Sequence, residues 1–402
     1  MTTKNNISAG YKDSAVGVVP KDWKVYDFRD IASISKEKYT PSDSSCMPCV
    51  ELEHISQGDG VLLGSTEARL QKSTKNVFKK GCVLFGKLRP YLRKYLHVDF
   101  DGVCSSEIWV LSANENICSN EYLYRLVSSD KYIQCANVSI GSKMPRADWN
   151  FVSITPFPVP PMEEQRKIAE ILGVWDEAIE KQSRLIEKLE LRKRALMQRL
   201  LTGRTRLPGF IDDVQYKKLK PFIVEKSERN TNQTYTNVLS VTNNRGFINQ
   251  AEQFDREVAS DNTANYKLVH RGQFAYNPSR VNVGSLDLLQ TYDLGILSPM
   301  YIVFETRPTM DPKFLYYQLK SGWFVGHIPM YVQGSVRDSL SFDGLENMKF
   351  WIPSLTEQKA IAEVLITADD EIATHRKKLD ALRLQKRGLM QQLLTGKTRV
   401  KI

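Results

Sequence analysis

The chain has 402 residues, 42% of them hydrophobic and 25% charged, the composition of an ordinary globular protein long enough for two domains. No run approaches the roughly 18 apolar residues of a membrane span. The N-terminal stretch MTTKNNISAGYKDS also lacks the apolar segment of a signal peptide. The expected location is therefore the cytoplasm, with no membrane partner, and the formal net charge of +10 suits a polyanionic partner, nucleic acid foremost.

Residues 1–157 carry short β-rich runs bounded by Gly, Pro, Asn and Asp, with a helical piece at 120–126. All six cysteines fall here, at 46, 49, 82, 104, 118 and 135. Cys46-Met47-Pro48-Cys49 has the spacing of half a zinc site or a redox pair, but no second close pair accompanies it. The six read as reduced, buried thiols. The five histidines (54, 97, 270, 327 and 375) show no metal-ligand spacing, and His54 reads as a strand residue.

Residues 158–207 read as a long helix entered through Pro160-Pro161 and closed by a left-handed cap at Gly203. Its apolar series Ile168, Leu172, Trp175, Ile179, Ile186, Leu189, Leu196, Leu200 follows the four-and-three steps of a coiled-coil seam. From 164 to 201 it would span roughly 57 Å at 1.5 Å per residue. A second β-rich stretch, 208–349, contains a helical piece at 312–321. Residues 350–402 then repeat the helix: 357–399 align without a gap on 164–206, about half the positions being identical. The second seam is Ile361, Leu365, Ala368, Ile372, Leu379, Leu382, Leu389, Leu393. Two seam positions are polar in both copies, Gln182 with His375 and Lys193 with Lys386; such residues lower stability but fix register. Ser354-Leu355-Thr356-Glu357 reads as a capping box, and Gly396 as the closing cap.

The globular segments match more loosely. Lys80-Gly81-Cys82-Val83-Leu84-Phe85 parallels Arg271-Gly272-Gln273-Phe274-Ala275-Tyr276, each continuing to an arginine, Arg89 or Arg280. Gly141-Ser142 and Gly334-Ser335 lead to Arg146 and Arg337. The expected fold is α/β, in the α+β sense: two similar mixed domains separated by two long helices that pair as an antiparallel coiled coil, a pseudo-twofold repeat. Two-fold readers bind DNA half-sites about one helical turn apart. Because the two domains differ in sequence, the half-sites should differ.

The run Pro158-Val159-Pro160-Pro161-Met162-Glu163-Glu164-Gln165-Arg166-Lys167-Ile168 and the ending Leu200-Leu201-Thr202-Gly203 resemble the conserved region of type I restriction-modification specificity subunits. Ile352-Pro353, Glu357-Gln358, Ile361 and Leu393-Leu394-Thr395-Gly396 repeat it, so the resemblance covers nearly the whole chain. The first domain is similar to that family's target recognition domains through FGKLRPYLRK (85–94) and CSSEIWVL (104–111). The second departs from the pattern, with YNPSRVNVG (276–284) and LSPMYIVF (297–304). The resemblance implies recognition domains at 1–157 and 208–349 and conserved spacer helices at 158–207 and 350–402. It implies a chain with no catalytic residue and no cofactor, reading a bipartite, asymmetric site in double-stranded DNA. Two modification subunits would carry S-adenosylmethionine and methylate adenine; two restriction subunits would use ATP to translocate and cut.

Four polar loops are the DNA-binding candidates. Lys87, Arg89, Arg93 and Lys94 crowd one turn; Ser142, Lys143 and Arg146 form a second; Asn277, Ser279, Arg280 and Asn282 a third; Ser335 and Arg337 a fourth. Arginine reads guanine by a bidentate pair, while lysine more often meets phosphate. Solvated charge or intradomain hydrogen bonding is the competing reading for each residue. Two other similarities lead nowhere. Thr395-Gly396-Lys397-Thr398 lacks the upstream glycine and strand of a phosphate loop, and Asn277-Pro278-Ser279 lacks the second proline and aromatic of an adenine methyltransferase motif, so a cap and a turn are expected. The alternative to a DNA reader is a coiled-coil protein that binds protein partners only.

Overall fold

A computed structural model describes residues 9–41, 46–138, 144–212, 214–250, 262–332 and 339–402. The chain divides into two compact units, Met1–Ser183 with Lys377–Ile402, and Arg184–Arg376. The boundary falls within both long helices, so each unit holds one globular domain and one half of each helix.

The long helices are Met162–Leu200 and Leu355–Leu394. In the first unit Ile168 and Leu172, near the start of one helix, share a core with Met390, Leu393 and Leu394, at the end of the other. In the second unit Leu200 and Leu201 share a core with Ile361, Ala362 and Leu365. The helices therefore run antiparallel in both. Ile168, Leu172, Ile179, Gln182, Ile186, Leu189, Ile361, Leu365, Ile372 and Leu379 are buried; Trp175, Leu196, His375, Leu382 and Leu389 are half-buried. Each fully buried Leu or Ile contributes about 1.5–3 kcal/mol. Both closing glycines take the left-handed conformation, Gly203 at φ 70° and Gly396 at φ 72°. The capping box at 354–357 is half made: the Ser354 hydroxyl accepts the Glu357 N–H at 3.4 Å, but the Glu357 carboxylate turns to Arg206.

Each domain is built on an antiparallel four-stranded sheet with one strand order. In the first it runs Tyr95–His97, Val83–Gly86, Ile108–Ala113, Ala32–Ile34. In the second it runs Leu286–Leu288, Phe274–Tyr276, Ile302–Thr306, Ile223–Lys226. The glycine turns before the two central strands also agree, with Gly81 at φ 88° and Gly272 at φ 86°. Beside this sheet the first domain has a five-stranded sheet in which Gly102–Cys104 runs parallel to Pro48–Val50. The second domain has two two-stranded antiparallel pairs there, the hairpin Leu239–Thr242 with Gly246–Asn249 and the pair Lys267–His270 with Leu294–Leu297, joined by a parallel bridge from Val238 to Ile296. The helical pieces expected near 120 and 312 are Asn120–Ser128 and Pro312–Leu319, capped by Ser119 and Asp311.

Two expectations are corrected. His54 lies in a 3-10 turn, Leu52–His54, not a strand: its Nδ1 accepts the Glu51 N–H at 3.0 Å, and this local bond outweighs strand pairing. Cys49, Cys82, Cys104 and Cys118 are buried, but Cys135 is half-buried and Cys46 exposed; all six thiols are free. Burial pushes the Cys49 thiol up to about 12. Among the described residues no helix is long and apolar enough to cross a membrane.

Candidate DNA interface

The first candidate loop leaves the strand Val83–Gly86 and is laid against residues 145–147. The Lys87 carbonyl accepts the Ala147 N–H at 2.8 Å, and the Arg89 N–H donates to the Pro145 carbonyl at 2.8 Å. Leu88 and Arg146 form an antiparallel bridge. The fold thus brings together Lys87, Arg89 and Arg146, from two segments that looked separate in the sequence. Arg89 is exposed, in a left-handed conformation at φ 51°, with Nη2 3.8 Å from Met144 Sδ. Arg146 is also largely open, and its Nε donates to Glu107 at 3.1 Å. Lys87 is half-buried.

The other two members of the first loop are engaged inside the domain. Lys94 Nζ donates to the Leu52 carbonyl at 2.5 Å, and Arg93 pairs with Asp130. Sequence spacing cannot reveal this, because Asp130 reaches Arg93 only through the packing of a helix onto the sheet.

The second domain exposes Ser279, Arg280 and Asn282 on the loop after the strand Phe274–Tyr276. This is the position that Arg89 occupies in the first domain. Asn277 begins a turn: its Oδ1 accepts the Ser279 N–H at 3.1 Å and its carbonyl accepts the Arg280 N–H at 3.0 Å. The Pro278 carbonyl accepts the Leu340 N–H at 3.1 Å, as the Lys87 carbonyl accepts that of Ala147. Asn277 Nδ2 lies 3.4 Å from Met300 Sδ. Ser142, Lys143, Ser335 and Arg337 lie outside the described residues.

Fixtures repeated in both units hold each domain to its helix. Gln165 Nε2 donates to the Ile117 and Pro160 carbonyls at 2.8 and 2.9 Å, and its Oε1 accepts the Ser119 N–H at 3.0 Å. Gln358 does the same with the Thr309 and Pro353 carbonyls, at 3.3 and 2.9 Å, and the Asp311 N–H, at 2.8 Å. The neighbouring carboxylates, Glu164 and Glu357, have fully buried side chains. Arg399 clamps Glu164 at 2.7 and 2.8 Å, with Trp23 Nε1 donating at 2.9 Å. Arg206 clamps Glu357 through two bonds of 2.6 Å. Each glutamate is thus held by the arginine of the other helix copy. The polar seam lysines behave alike: Lys386 pairs with Asp176, and Lys193 with Asp369 at 2.5 Å. Arg125 joins Asp176, and the Tyr317 hydroxyl donates to Asp369 at 2.7 Å. The reading of the sequence missed these acids, although the signal was there: Glu164 with Glu357, Asp176 with Asp369 and Arg206 with Arg399 recur at the helix shift.

Residues 20–191 and 210–384 each match the type I restriction modification DNA specificity domain. The putative type I restriction enzyme MjaX specificity subunit of Methanocaldococcus jannaschii is 24% identical over 97% of either chain. The type I restriction enzyme HindI specificity subunit of Haemophilus influenzae is 30% identical over 44% of this chain and 40% of its own. Among solved structures, one from work on complex assembly and conformational transition of the type I R-M system has a TM-score of 0.60 at 20% identity, covering 94% of this chain and 99% of that one. The type I restriction-modification S subunit of M. genitalium has a TM-score of 0.54 at 14% identity, covering 98% of each. The two matched segments span most of the chain and coincide with the two repeats of sheet, loop and helix, so the chain belongs to the type I restriction-modification DNA specificity family and is a specificity subunit.

Proposed function

We propose that this subunit reads a two-part, asymmetric DNA site, with Lys87, Arg89 and Arg146 facing one half-site and Asn277, Ser279, Arg280 and Asn282 the other. The observation that carries this reading is the matched placement of Arg89 and Arg280, both exposed on the loop after the central strand of sheets with one strand order. The same framework carries different loop chemistry, which suits two different sequences. Ser142, Lys143, Ser335 and Arg337 extend the two surfaces in this proposal.

Methyl transfer and cleavage belong to partner subunits in this reading, with S-adenosylmethionine and ATP bound there and no cofactor here. A duplicated groove supports two copies of one partner. In the first unit it measures about 460 Å³ and is lined by Arg387, Met390, Leu394 and Lys397. In the second it measures about 480 Å³ and is lined by Arg194, Met197, Leu201 and Arg204, the same helix positions one repeat earlier. Two restriction subunits complete the assembly.

The test is methylation of a randomised duplex library by the subunit reconstituted with its modification partner. Arg89→Ala and Arg280→Ala should each cost about 1–3 kcal/mol and relax one half-site only. A uniform loss on all sequences would assign the residue to phosphate; no loss would remove the loop from the interface. The chain alone should transfer no methyl group.

A further inference from the structure

The reading loop of the first domain is fastened to the second long helix through Arg93, Asp130 and Arg387. In the first domain the segment after Arg89 turns through the 3-10 helix Pro90–Leu92 and ends at Arg93. Arg89 and Arg93 are both left-handed at φ 51°, a conformation that L-residues other than glycine and asparagine rarely adopt. Two such residues within five positions need outside restraint to stay put. The Arg93 carbonyl accepts the Gly58 N–H at 3.0 Å, and the Arg93 guanidinium pairs with Asp130, the first residue of the helix Asp130–Ala136. The other oxygen of Asp130 accepts Arg387 Nε, from the second long helix, at 2.8 Å. Partial burial pushes the Asp130 carboxyl up, but Arg387 and Arg93 together hold it below the usual range.

The second domain has the same turn without the clamp: Gly284, at φ 96°, follows the 3-10 helix Val281–Val283 where Arg93 follows Pro90–Leu92. Ser129 and Ser321 cap equivalent helices, so the place of Asp130 falls to Gly322. Arg194 stands where Arg387 stands one repeat later. The strand that follows the loop of that domain is held by Lys320 Nζ, which donates to the Leu286 carbonyl at 2.5 Å.

We infer that Asp130 is a positioning residue for DNA reading: by bridging Arg93 to Arg387 it fixes the turn that aims Arg89, so discrimination at the first half-site alone depends on this clamp. The inference rests on Arg89 being the reader, as proposed above. Arg93 and Lys94, expected at the outset to touch DNA, act behind the loop in this account.

The experiment uses the reconstituted methyltransferase and a duplex library randomised in both half-sites, with methylated products sequenced. Asp130→Asn keeps the side chain's size, leaves the Ser129 cap in place and removes the charge. Arg93→Gly tolerates the left-handed backbone while deleting the guanidinium, and guards against a folding defect in the first variant. Both should lower discrimination at the base position lost in Arg89→Ala, by about fivefold or more, and leave the second half-site and the salt dependence of binding unchanged. Asp130→Glu should restore part of the loss, which a merely structural role would not predict for a single base position. If Arg89→Ala relaxes the first half-site but Asp130→Asn and Arg93→Gly do not, or if they weaken both half-sites equally, the positioning role is overturned. If Arg89→Ala leaves discrimination intact, the loop is not the reader and the underlying proposal fails, whatever Asp130→Asn does.

Discussion

Replacing Arg206 by Met removes the clamp from a carboxylate that water cannot reach. Glu357 loses both bonds of 2.6 Å, and its side chain is fully buried. An uncompensated buried charge costs about 3–5 kcal/mol. Arg399→Met is the built-in comparison. There Glu164 keeps the Trp23 bond of 2.9 Å, and the arginine it loses is more than a third exposed, so the pair is worth less to begin with. About 2 kcal/mol is expected for Arg399→Met, and about 3–4 for Arg206→Met. Two compact units need not unfold together, so a single global midpoint would blur the comparison. Amide hydrogen exchange across 358–366 and 165–173 reports each site separately. Arg206→Met should speed exchange at the start of the second helix by about two to three orders of magnitude, since about 1.4 kcal/mol is tenfold. Adding Glu357→Gln to Arg206→Met should recover much of the loss, because a buried amide costs less than a buried charge. Equal effects at the two sites, or no recovery with Gln, would refute the reasoning.

Gly203→Ala should destabilise the second unit by about 2–4 kcal/mol, measured calorimetrically: the glycine sits at φ 70°, and a Cβ there would lie 2.5 Å from the Trp351 ring. Gly396→Ala should do the same in the first unit, where Pro20 is the neighbour at 2.5 Å. Burial holds the His97 imidazole below its usual range, and among the described residues its Nε2 has no partner. Its contribution is therefore present above about pH 6.5 and is lost as pH falls through the lowered folded-state value. His97→Phe should flatten the fall in melting temperature between pH 7.5 and 5, and an unchanged slope would exclude His97 as its source. Lys87→Ala should weaken binding to every sequence alike and reduce the salt slope by about one; a sequence-selective loss would instead make Lys87 a base reader.

The frame was legible because it is written twice. Seam spacing, proline entry and glycine exit each recur at one shift, and burial of Ile168 and Leu172, like that of Ile361 and Leu365, follows from the periodicity alone. The partners of the polar residues were less legible. Glu164 and Arg399 are 235 positions apart, and their bond follows only once antiparallel packing is known. The candidate loops were picked out by charge, but charge does not say which cation is spent internally: Arg93 and Lys94 look like Arg89 in the sequence and differ because Asp130 and the Leu52 carbonyl are folded beside them. Local patterns also misled at His54, where a side-chain bond to its own turn replaced the expected strand.

The glutamine fixtures set the terms on which this protein can change. Among the described residues Gln165 and Gln358 bond to main-chain groups alone: Ile117, Ser119 and Pro160 in one unit, Thr309, Asp311 and Pro353 in the other. A main-chain carbonyl or N–H stays much the same when its side chain is replaced, so mutation of the candidate loops does not touch these joints. Substitutions at 87–89 or 277–282 can accumulate while the seat of each domain on its helix stays fixed. Drift in what is recognised is thereby uncoupled from the integrity of the scaffold, and a lineage can acquire a new target without first rebuilding its frame.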